Sequence, residues 1–328
     1  MSGQNLRQNR PILARFTMIK EFQVVKLLGQ GGYGDVYEVK NLNTHEIFAL
    51  KTEYLDATKH GLKNEIDIIS KLDQPCFPSI IDSGETENCL YFVMKKYGMS
   101  VGAYRRQLSS RIIHGSIVFP IAIEMLKIIQ KLHRYGFLHR DIKPSNFLFQ
   151  MDPANPLSLI DFGLSVQHID PNTNQPYPAG KPRFCGTKKY ISKNIHEGRD
   201  FGRCDDLMSW FYSLVEMYFG RLPWASLKDK TEVGDAKTNI STRDLCKSMP
   251  EQCHRIYQHI VGLAYEEEPK YQFLINQLEN ARYQSFDTRP FNWRQFYNNV
   301  HNIDDTSEIP VERPETVELE GNSCCCRV

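Results

Sequence analysis

The chain has 328 residues, a formal net charge of +1 and a hydrophobic fraction of 41%. This length and composition are those of a globular protein that can bury a sizeable core. A charge balance so close to neutral provides no basic field for nucleic acid, so we expect no nucleic-acid partner. No apolar stretch is long enough to span a bilayer and the start is too polar for a secretory signal, which favours a cytoplasmic location.

Charge is distributed unevenly between the two ends of the chain. Residues 1 to 20 carry four basic side chains and no acidic one, whereas residues 301 to 328 carry seven acidic and two basic ones. Neither end has helical or strand periodicity. We therefore predict a basic flexible tail over residues 1–21 and an acidic flexible tail over residues 300–328.

The acidic tail ends in a cluster of three adjacent cysteines, Cys324, Cys325 and Cys326. One interpretation is that they are exposed thiols on a tail too polar to fold. The alternative is reversible lipidation, because two acyl chains anchor a protein stably whereas one binds membranes only marginally. Membrane association and a nuclear location therefore stay open beside the cytoplasmic one. The other six cysteines lack the spacing of a zinc site and are expected to be free thiols.

In chain order, the first elements are those of a small antiparallel sheet with one helix. The predicted strands are Phe22–Leu28, Asp35–Lys40, Glu46–Glu53, Ser79–Asp82 and Cys89–Met94. Between the third and the fourth strand, apolar residues recur at the spacing of a helix: Leu62, Ile66, Ile69 and Leu72.

After residue 98 the pattern becomes helical. One apolar stripe runs from Ile121 to Leu132, with Pro120 expected in the first turn of its helix. Residues 205 to 219 are apolar almost throughout, as in a buried central helix, and shorter stripes follow at Ile256, Ile260 and Leu263 and at Leu274 and Leu278. The pattern predicts an α+β domain over residues 22–299, with a small lobe at about 22–94, a larger lobe at about 99–299 and a cleft between them.

The turn after the first strand contains the pattern GxGxxGxV, formed by Gly29, Gly31, Gly34 and Val36. Glycine lets backbone N–H groups approach phosphate closely, although such a pattern is more often just a turn. A dinucleotide-binding turn would be followed at once by a helix. Here the chain continues as a strand, which favours a hairpin that covers a nucleotide.

Lys51 lies on the third strand and Glu65 on the helix that follows. A single lysine on a strand is usually solvated, and helical acids mostly face water. A lysine that neutralises phosphates needs an acidic partner to hold it in place, so we predict an ion pair between Lys51 and Glu65.

The segment from His139 to Asn146 has the pattern HRDxKxxN, which is the most specific signal in the chain. A solvent-exposed loop would not require this combination of residues, whereas group transfer to a hydroxyl does. Asp141 would accept or orient the proton of the hydroxyl, Lys143 would reach the transferred group, and Asn146 would provide an oxygen ligand to magnesium. A lysine two positions after the aspartate favours serine or threonine hydroxyls over tyrosine.

A second magnesium ligand is expected at Asp161, in the tripeptide Asp161-Phe162-Gly163 that follows an apolar strand. The tripeptide alone occurs often by chance. Its position shortly after the HRDxKxxN segment makes it specific.

These motifs, in this order, resemble the protein-kinase superfamily and, more narrowly, the casein kinase 1 group. The segments Gly136 to Phe147, Gly202 to Leu207 and Gly220 to Trp224 are most similar to those of the tau-tubulin kinases. The resemblance covers roughly Phe22 to Trp293. Most kinases carry Ala-Pro-Glu where this chain has Ser192-Lys193-Asn194, and the casein kinase 1 group also lacks that motif.

The resemblance implies a bilobal protein-kinase fold and a serine/threonine protein kinase that uses ATP and Mg²⁺. It also implies that Asp206 holds the catalytic loop through backbone amides and that Met94 is the gatekeeper behind the adenine. The implied catalytic residues are Asp141, Lys143 and Lys51, and the implied magnesium ligands are Asn146 and Asp161. The implied nucleotide-binding residues are Leu28, Gly29, Gly31, Gly34, Val36, Ala49, Lys51, Glu65 and Met94.

An alternative function is a kinase-fold scaffold that retains the motifs but has little activity. The resemblance implies protein substrates, and we expect a monomer whose activity does not depend on phosphorylation of its own loop. Four lysines near the expected substrate side would favour acidic or already phosphorylated substrates: Lys188, Lys189, Lys228 and Lys230. Taken one at a time, each of these lysines is better explained as a solvated surface residue.

Overall fold

The computed structural model describes residues 12–31, 34–55, 60–180, 183–285 and 289–304. The first part is a six-stranded antiparallel sheet with the spatial order β1-β2-β3-β4-β6-β5. Its strands are β1 (Met18–Ile19), β2 (Phe22–Gln30), β3 (Asp35–Asn41), β4 (Ile47–Tyr54), β5 (Ile80–Glu85) and β6 (Cys89–Lys95). Helix α1 (Leu62–Ile69) connects β4 to β5 and completes the small lobe.

The second part is mainly helical. Its helices are α2 (Val101–Gln107), α3 (Gly115–Arg134), α4 (Lys193–His196), α5 (Arg203–Phe219), α6 (Lys230–Asn239), α7 (Thr242–Leu245), α8 (Glu251–Val261), α9 (Tyr271–Ser285) and α10 (Trp293–Asp304). Two short antiparallel ladders join β7 (Phe137–Leu138) to β10 (Val166–Gln167) and β8 (Phe147–Phe149) to β9 (Leu157–Leu159). The predicted α+β bilobal fold is confirmed. Within the described part of the chain, every helix is too short or too polar to cross a bilayer.

Helix α5 is the central element of the large lobe. It is buried from Arg203 to Met217, as expected for a helix that is apolar almost all round. The indole Nε1 of Trp210 donates a hydrogen bond to the carbonyl of Ala122 in α3 at 3.0 Å, so the polar atom of this buried side chain is satisfied. The helix ends at Gly220, whose φ of 79° is left-handed backbone that glycine adopts readily.

The two faces of the sheet belong to different apolar clusters. Ala49 and Met94 face a large cluster that extends through the whole helical lobe. Leu50 and Val93, one position along each strand, belong to a smaller cluster on the opposite face. Because side chains alternate along a strand, one face of the sheet closes the cleft and the other has its own small core.

Three sequence-based assignments were wrong at the ends of elements. The segment Met18–Ile19, assigned to the basic tail, pairs with β2, and a two-residue strand is too short to show alternation. Helix α10 was not predicted and continues to Asp304, past the expected start of the acidic tail. Pro120 lies in the second turn of α3 rather than the first, because the helix begins at Gly115. The rest of both predicted tails, residues 1–11 and 305–328, lies outside the described residues.

Candidate active site

The glycine-rich turn brings the backbone of β2 and β3 close to β4. Gly29 pairs with Val36 across the two strands, and the N–H of Gly31 donates to the carbonyl of Gly34 at 2.7 Å. A Cβ atom on Gly34 would lie 1.6 Å from the carbonyl oxygen of Thr52, so no other residue fits there. Glycine at this position is therefore required by the close packing on β4.

Apolar side chains form the cleft-facing side of the same strands. Ala49 pairs with Met94 across β4 and β6, and both are buried. Leu28 and Val36 are partly buried and pack against the same cluster. These four residues, which the resemblance implied as nucleotide-binding, thus lie on one continuous apolar surface at the top of the cleft.

Lys51 lies between two carboxylates. Its Nζ is 2.6 Å from Oε2 of Glu65 and 2.8 Å from Oδ1 of Asp161, so the predicted pair with Glu65 is present. Burial would lower the pKa of Lys51, but the charges of Asp161 and Glu65 outweigh it and the pKa is raised. Burial would raise the pKa of Asp161, yet the Lys51 ammonium keeps it well below its usual range. The charged forms of Lys51 and Asp161 therefore stabilise each other.

A buried glutamate that the sequence analysis missed holds the start of helix α1. Oε2 of Glu53 accepts hydrogen bonds from the N–H groups of Gly61 at 2.6 Å and Leu62 at 2.9 Å. Gly61 occupies the N-cap position and has no side chain with which to cap the helix. The carboxylate of Glu53 takes over that task and also interacts favourably with the positive end of the helix. It thereby fixes the helix turn that carries Glu65.

The catalytic loop and the loop at residues 186–191 meet at Asp141. Oδ1 of Asp141 accepts from the N–H of Thr187 at 2.8 Å, and Oδ2 accepts from Nζ of Lys143 at 2.7 Å. The same Nζ donates to Oγ1 of Thr187 at 3.0 Å. The amide of Asn146 donates to the carbonyl of Asp141 at 2.9 Å, which leaves the carbonyl oxygen of its side chain for another partner.

Asp206 holds the catalytic loop from α5, as the resemblance implied. Its Oδ2 accepts from the N–H of His139 at 2.7 Å and its Oδ1 from the N–H of Arg140 at 2.9 Å. Nε2 of His133 lies 3.0 Å from the same carboxylate, and Nδ1 of His133 contacts the hydroxyl of Tyr271. Burial would raise the pKa of Asp206, but the hydrogen bond and charge of His133 outweigh it and the pKa is lowered. Sequence reasoning identified Asp206 and missed the support from α9.

The tripeptide that carries Asp161 is fixed by aromatic packing and an unusual backbone. Asp161 has a φ of 72°, in the left-handed region that few non-glycine residues adopt. Phe162 is fully buried and contacts the rings of Phe77 and His139 edge to face, at centroid distances of 5.9 and 5.2 Å. The ring of Phe162 therefore connects the small lobe side of the cleft with the catalytic loop and holds Asp161 beside Lys51.

The segment Ser192-Lys193-Asn194 is anchored by Asp205, at the start of α5. Oδ1 of Asp205 accepts from Oγ of Ser192 at 2.5 Å and from the amide of Asn194 at 3.0 Å. Its Oδ2 accepts from the N–H of Gly202 at 2.7 Å. These bonds attach the end of the loop to the central helix, a task that the resemblance would give to the Ala-Pro-Glu motif that this chain lacks.

A second buried acid, Glu216 near the end of α5, holds the preceding part of the same loop. Its carboxylate contacts the hydroxyl of Tyr190 and Nζ of Lys189, and it accepts from the guanidinium of Arg105 at 3.1 Å. The charge of Glu216 is thus neutralised inside the protein. Buried ionised groups persist when they are paired and hydrogen-bonded in this way.

The fold, the lysine between two carboxylates and the loop around Asp141 define a protein kinase domain. A family model for the protein kinase domain matches residues 22–283, and the chain belongs to this family. It is 37% identical over 277 residues to a protein of Dictyostelium discoideum named as a probable serine/threonine-protein kinase. That match covers 82% of this chain and 56% of the relative, so the chain spans about half the length of that protein.

Two relatives from Encephalitozoon cuniculi are named as probable casein kinase I homologues. They are 33% and 30% identical to this chain, over 80% and 81% of its length and 85% and 90% of their own. The chain is therefore a member of the casein kinase 1 group, as its motifs predicted.

Proposed function

We propose that the chain is an ATP-dependent serine/threonine protein kinase that transfers the γ-phosphoryl group of ATP to protein hydroxyls. The observation that carries the proposal is the convergence of Lys143 and the loop residue Thr187 on the carboxylate of Asp141. A hydroxyl that lies on this loop would be next to a carboxylate that can orient it and accept its proton. Lys143 lies beside the same carboxylate and would stabilise charge on the transferred group.

The residues present fit a nucleotide with magnesium. Lys51, held by Glu65 and Asp161, would neutralise the phosphates, and the glycine-rich turn would cover them. Asp161 and Asn146 would hold Mg²⁺ as hard oxygen ligands, and the ion when bound would neutralise charge on the phosphates. Within the described ranges, no cluster of three or more His, Cys, Asp or Glu could hold a metal without other ligands. Magnesium usually binds to one or two carboxylates together with substrate phosphates.

The chemistry proposed for Asp141 is tested by substitution with asparagine. Asp141→Asn keeps the size of the side chain and one of its two acceptor oxygens but removes the proton acceptor, so turnover should fall by about two to four orders of magnitude. Asp161→Asn should abolish magnesium-dependent turnover, and Asp152→Asn, at an exposed aspartate, serves as the control. If the unmodified protein transfers no more phosphate than the first two variants, the alternative of an inactive scaffold is correct.

The proposed substrates are proteins with an acidic or phosphorylated residue near the target hydroxyl. Lys189 faces the buried Glu216, and Nζ of Lys188 contacts the carbonyl of Lys228. Lys230 lies over the ring of Phe184, with Nζ 3.8 Å from the centroid. Because Lys189 helps to neutralise Glu216, we assign the preference for an anionic substrate to the charges of Lys188, Lys228 and Lys230.

Catalytic efficiency on a phosphorylated peptide and on its unphosphorylated counterpart tests this preference. The phosphorylated peptide should have the higher kcat/KM, and the difference should shrink at high salt because exposed charges are screened. Replacing Lys228 and Lys230 by methionine should remove most of the difference. Equal efficiency on both peptides would exclude recognition of an anion here.

We also propose that the chain is a cytoplasmic monomer that can associate with membranes through Cys324, Cys325 and Cys326. These residues lie outside the described part of the chain, and the proposal rests on their sequence alone. Cell fractionation and labelling with a palmitate probe would compare the native chain with a variant in which all three cysteines are serine. Absence of label and complete solubility of both chains would exclude the anchor, and light scattering would measure the oligomeric state.

A further inference from the structure

Helix α6 carries a buried lysine that the proposed chemistry does not use. The residue, Lys237, is 1% exposed, and its Nζ donates to the carbonyls of Lys188 at 2.6 Å and Ile191 at 2.7 Å. Within the part of the chain that the structure describes, no carboxylate pairs with it. Burying an amino group without a counter-ion costs free energy, so its hydrogen bonds to carbonyls must offset that cost.

The aromatic residues around Lys237 suit an amino group in this position. Its Nζ lies 5.3 Å from the ring centroid of Trp224 and 5.6 Å from that of Tyr212, within the range of a cation–π contact. The indole of Trp224 donates to the carbonyl of Lys189 at 2.8 Å. The backbone carbonyls of residues 188, 189 and 191 thus all accept hydrogen bonds from side chains below the loop.

Helix α6 approaches this loop closely because Gly234 has no side chain. A Cβ atom at Gly234 would lie 2.8 Å from Nδ1 of His196, in the helix α4 that follows the loop. Gly234 and Lys237 are three residues apart and lie on the same face of α6. Helix α6 therefore packs against α4 at Gly234, and the side chain of Lys237 contacts the loop at residues 186–191. Nζ of Lys237 also lies 3.4 Å from Nε2 of His196.

The loop that Lys237 contacts, at residues 186–191, is also the loop that is hydrogen-bonded to Asp141, the proposed catalytic carboxylate. Thr187 donates its N–H to Asp141, and the N–H groups of Tyr190 and Ile191 donate to the carbonyl of Thr187 at 2.8 and 3.0 Å. Residues 187 to 191 are thus one compact turn with Asp141 at one end and Lys237 beneath it. A displacement of its lower part would move the surface on which a protein substrate lies relative to Asp141.

We propose that Lys237 is a positioning residue for the protein substrate: through the carbonyls of Lys188 and Ile191, it fixes the loop that presents the acceptor hydroxyl to Asp141. This rests on the proposed kinase function. Lys237 is not a catalytic residue, because it contacts neither the cleft nor the groups that would bind ATP. Substitution of Lys237 should therefore change the binding of the protein substrate and leave the binding of ATP unchanged.

The test is a steady-state comparison of Lys237→Met with Lys247→Met, a substitution at an exposed lysine two residues after α7. Methionine fills the space of the lysine stem but cannot donate to the two carbonyls. For Lys237→Met, we expect KM for a peptide substrate to rise about tenfold or more, as for the loss of one or two well-formed hydrogen bonds. KM for ATP and the slow hydrolysis of ATP without peptide should stay within about twofold of the unmodified protein. Lys247→Met should leave all three values unchanged.

A second variant covers the case in which Lys237→Met does not fold. Gly234→Ala pushes α6 away from His196 while keeping Lys237, and it should raise KM for the peptide in the same selective way. Unchanged peptide KM in a folded Lys237→Met, or an equal loss of peptide and ATP binding in whichever variant folds, would overturn the inference. Failure of the proposed function itself looks different, because the unmodified protein would then show no phosphate transfer to any peptide.

Discussion

Replacement of Glu53 by alanine should weaken ATP binding, although Glu53 does not touch Lys51 or Asp161. The Glu53 side chain is 2% exposed, and its Oε2 accepts two N–H groups at the start of α1, from Gly61 and Leu62. Glu65 lies in the first turn of that helix. Loss of the capping carboxylate would loosen this turn and with it the carboxylate that holds Lys51 for the phosphates of ATP.

The magnitude follows from the two hydrogen bonds. A buried N–H group left without an acceptor costs about 1–3 kcal/mol, and loss of a helix N-cap costs about 1 kcal/mol. For Glu53→Ala, the free energy of unfolding should fall by roughly 2–4 kcal/mol, which lowers the melting temperature by roughly 5–10 °C in a domain of this size. Glu53→Gln keeps an oxygen acceptor and should lose only about 1 kcal/mol.

The assay combines thermal melting with KM for ATP at a temperature at which every variant is folded. KM for ATP should rise about tenfold in Glu53→Ala and less in Glu53→Gln, while Glu46→Ala, at an exposed glutamate just before β4, should match the unmodified protein. If Glu53→Ala melts earlier but keeps its KM for ATP, the position of α1 does not depend on Glu53. Equal effects of alanine and glutamine would show that the acceptor oxygen is not what matters.

Three further predictions concern the loop that follows Asp161. Ser192→Ala removes the 2.5 Å hydrogen bond to the buried Asp205, so it should lower the melting temperature and peptide turnover together; unchanged turnover in a destabilised protein would contradict this anchor. Burial lowers the pKa of His168 from 6.5 to about 4, so the free energy of unfolding should decrease as the pH falls through that interval, because the unfolded chain binds the proton first. His168→Phe should flatten the pH dependence of urea unfolding, and identical slopes in both proteins would refute that origin. Thr173 is exposed, and neither phosphatase treatment nor Thr173→Ala should change basal activity; a large loss would identify the loop as a switch.

The sequence was sufficient to predict those parts of the site in which the chemistry requires particular residue types at short, fixed spacings. The functional residues around Asp141 are only a few positions apart in the sequence, and so are those of the glycine-rich turn. Both motifs could therefore be recognised, and the strands and loops that carry them could be inferred. The pair of Lys51 and Glu65 could also be predicted, since a phosphate-binding lysine requires an acidic partner and Glu65 lay on the next helix. Helix α6 left a signal that was overlooked, because Asp229 at its N-cap is a typical start of a helix.

Contacts between distant parts of the chain could not be predicted. Lys237 and Ile191 are 46 residues apart, and nothing in the sequence of α6 indicates which carbonyls lie above it. Glu216 is an isolated acid in an apolar helix. One of its three partners comes from α2 and the other two come from the loop at residues 186–191. Such polar groups become interpretable only when the packing of the helices is known, because burial determines which of them need partners.

The division of the apolar residues between two clusters affects which parts of the protein unfold locally at the lowest free energy. Leu62 and Ile69 of α1 are part of the cluster that fills the large lobe, whereas Leu50 belongs to the separate cluster on the outer face of the sheet. Amide hydrogens of α1 should therefore exchange with solvent together with those of α3 and α5, and those of β2 and β3 should exchange at a lower free energy. The strands β2 and β3, which flank the glycine-rich turn, and the helix that carries Glu65 then belong to two different cooperative units. A nucleotide that binds across them would slow exchange in the outer sheet, because it must dissociate before the sheet can open.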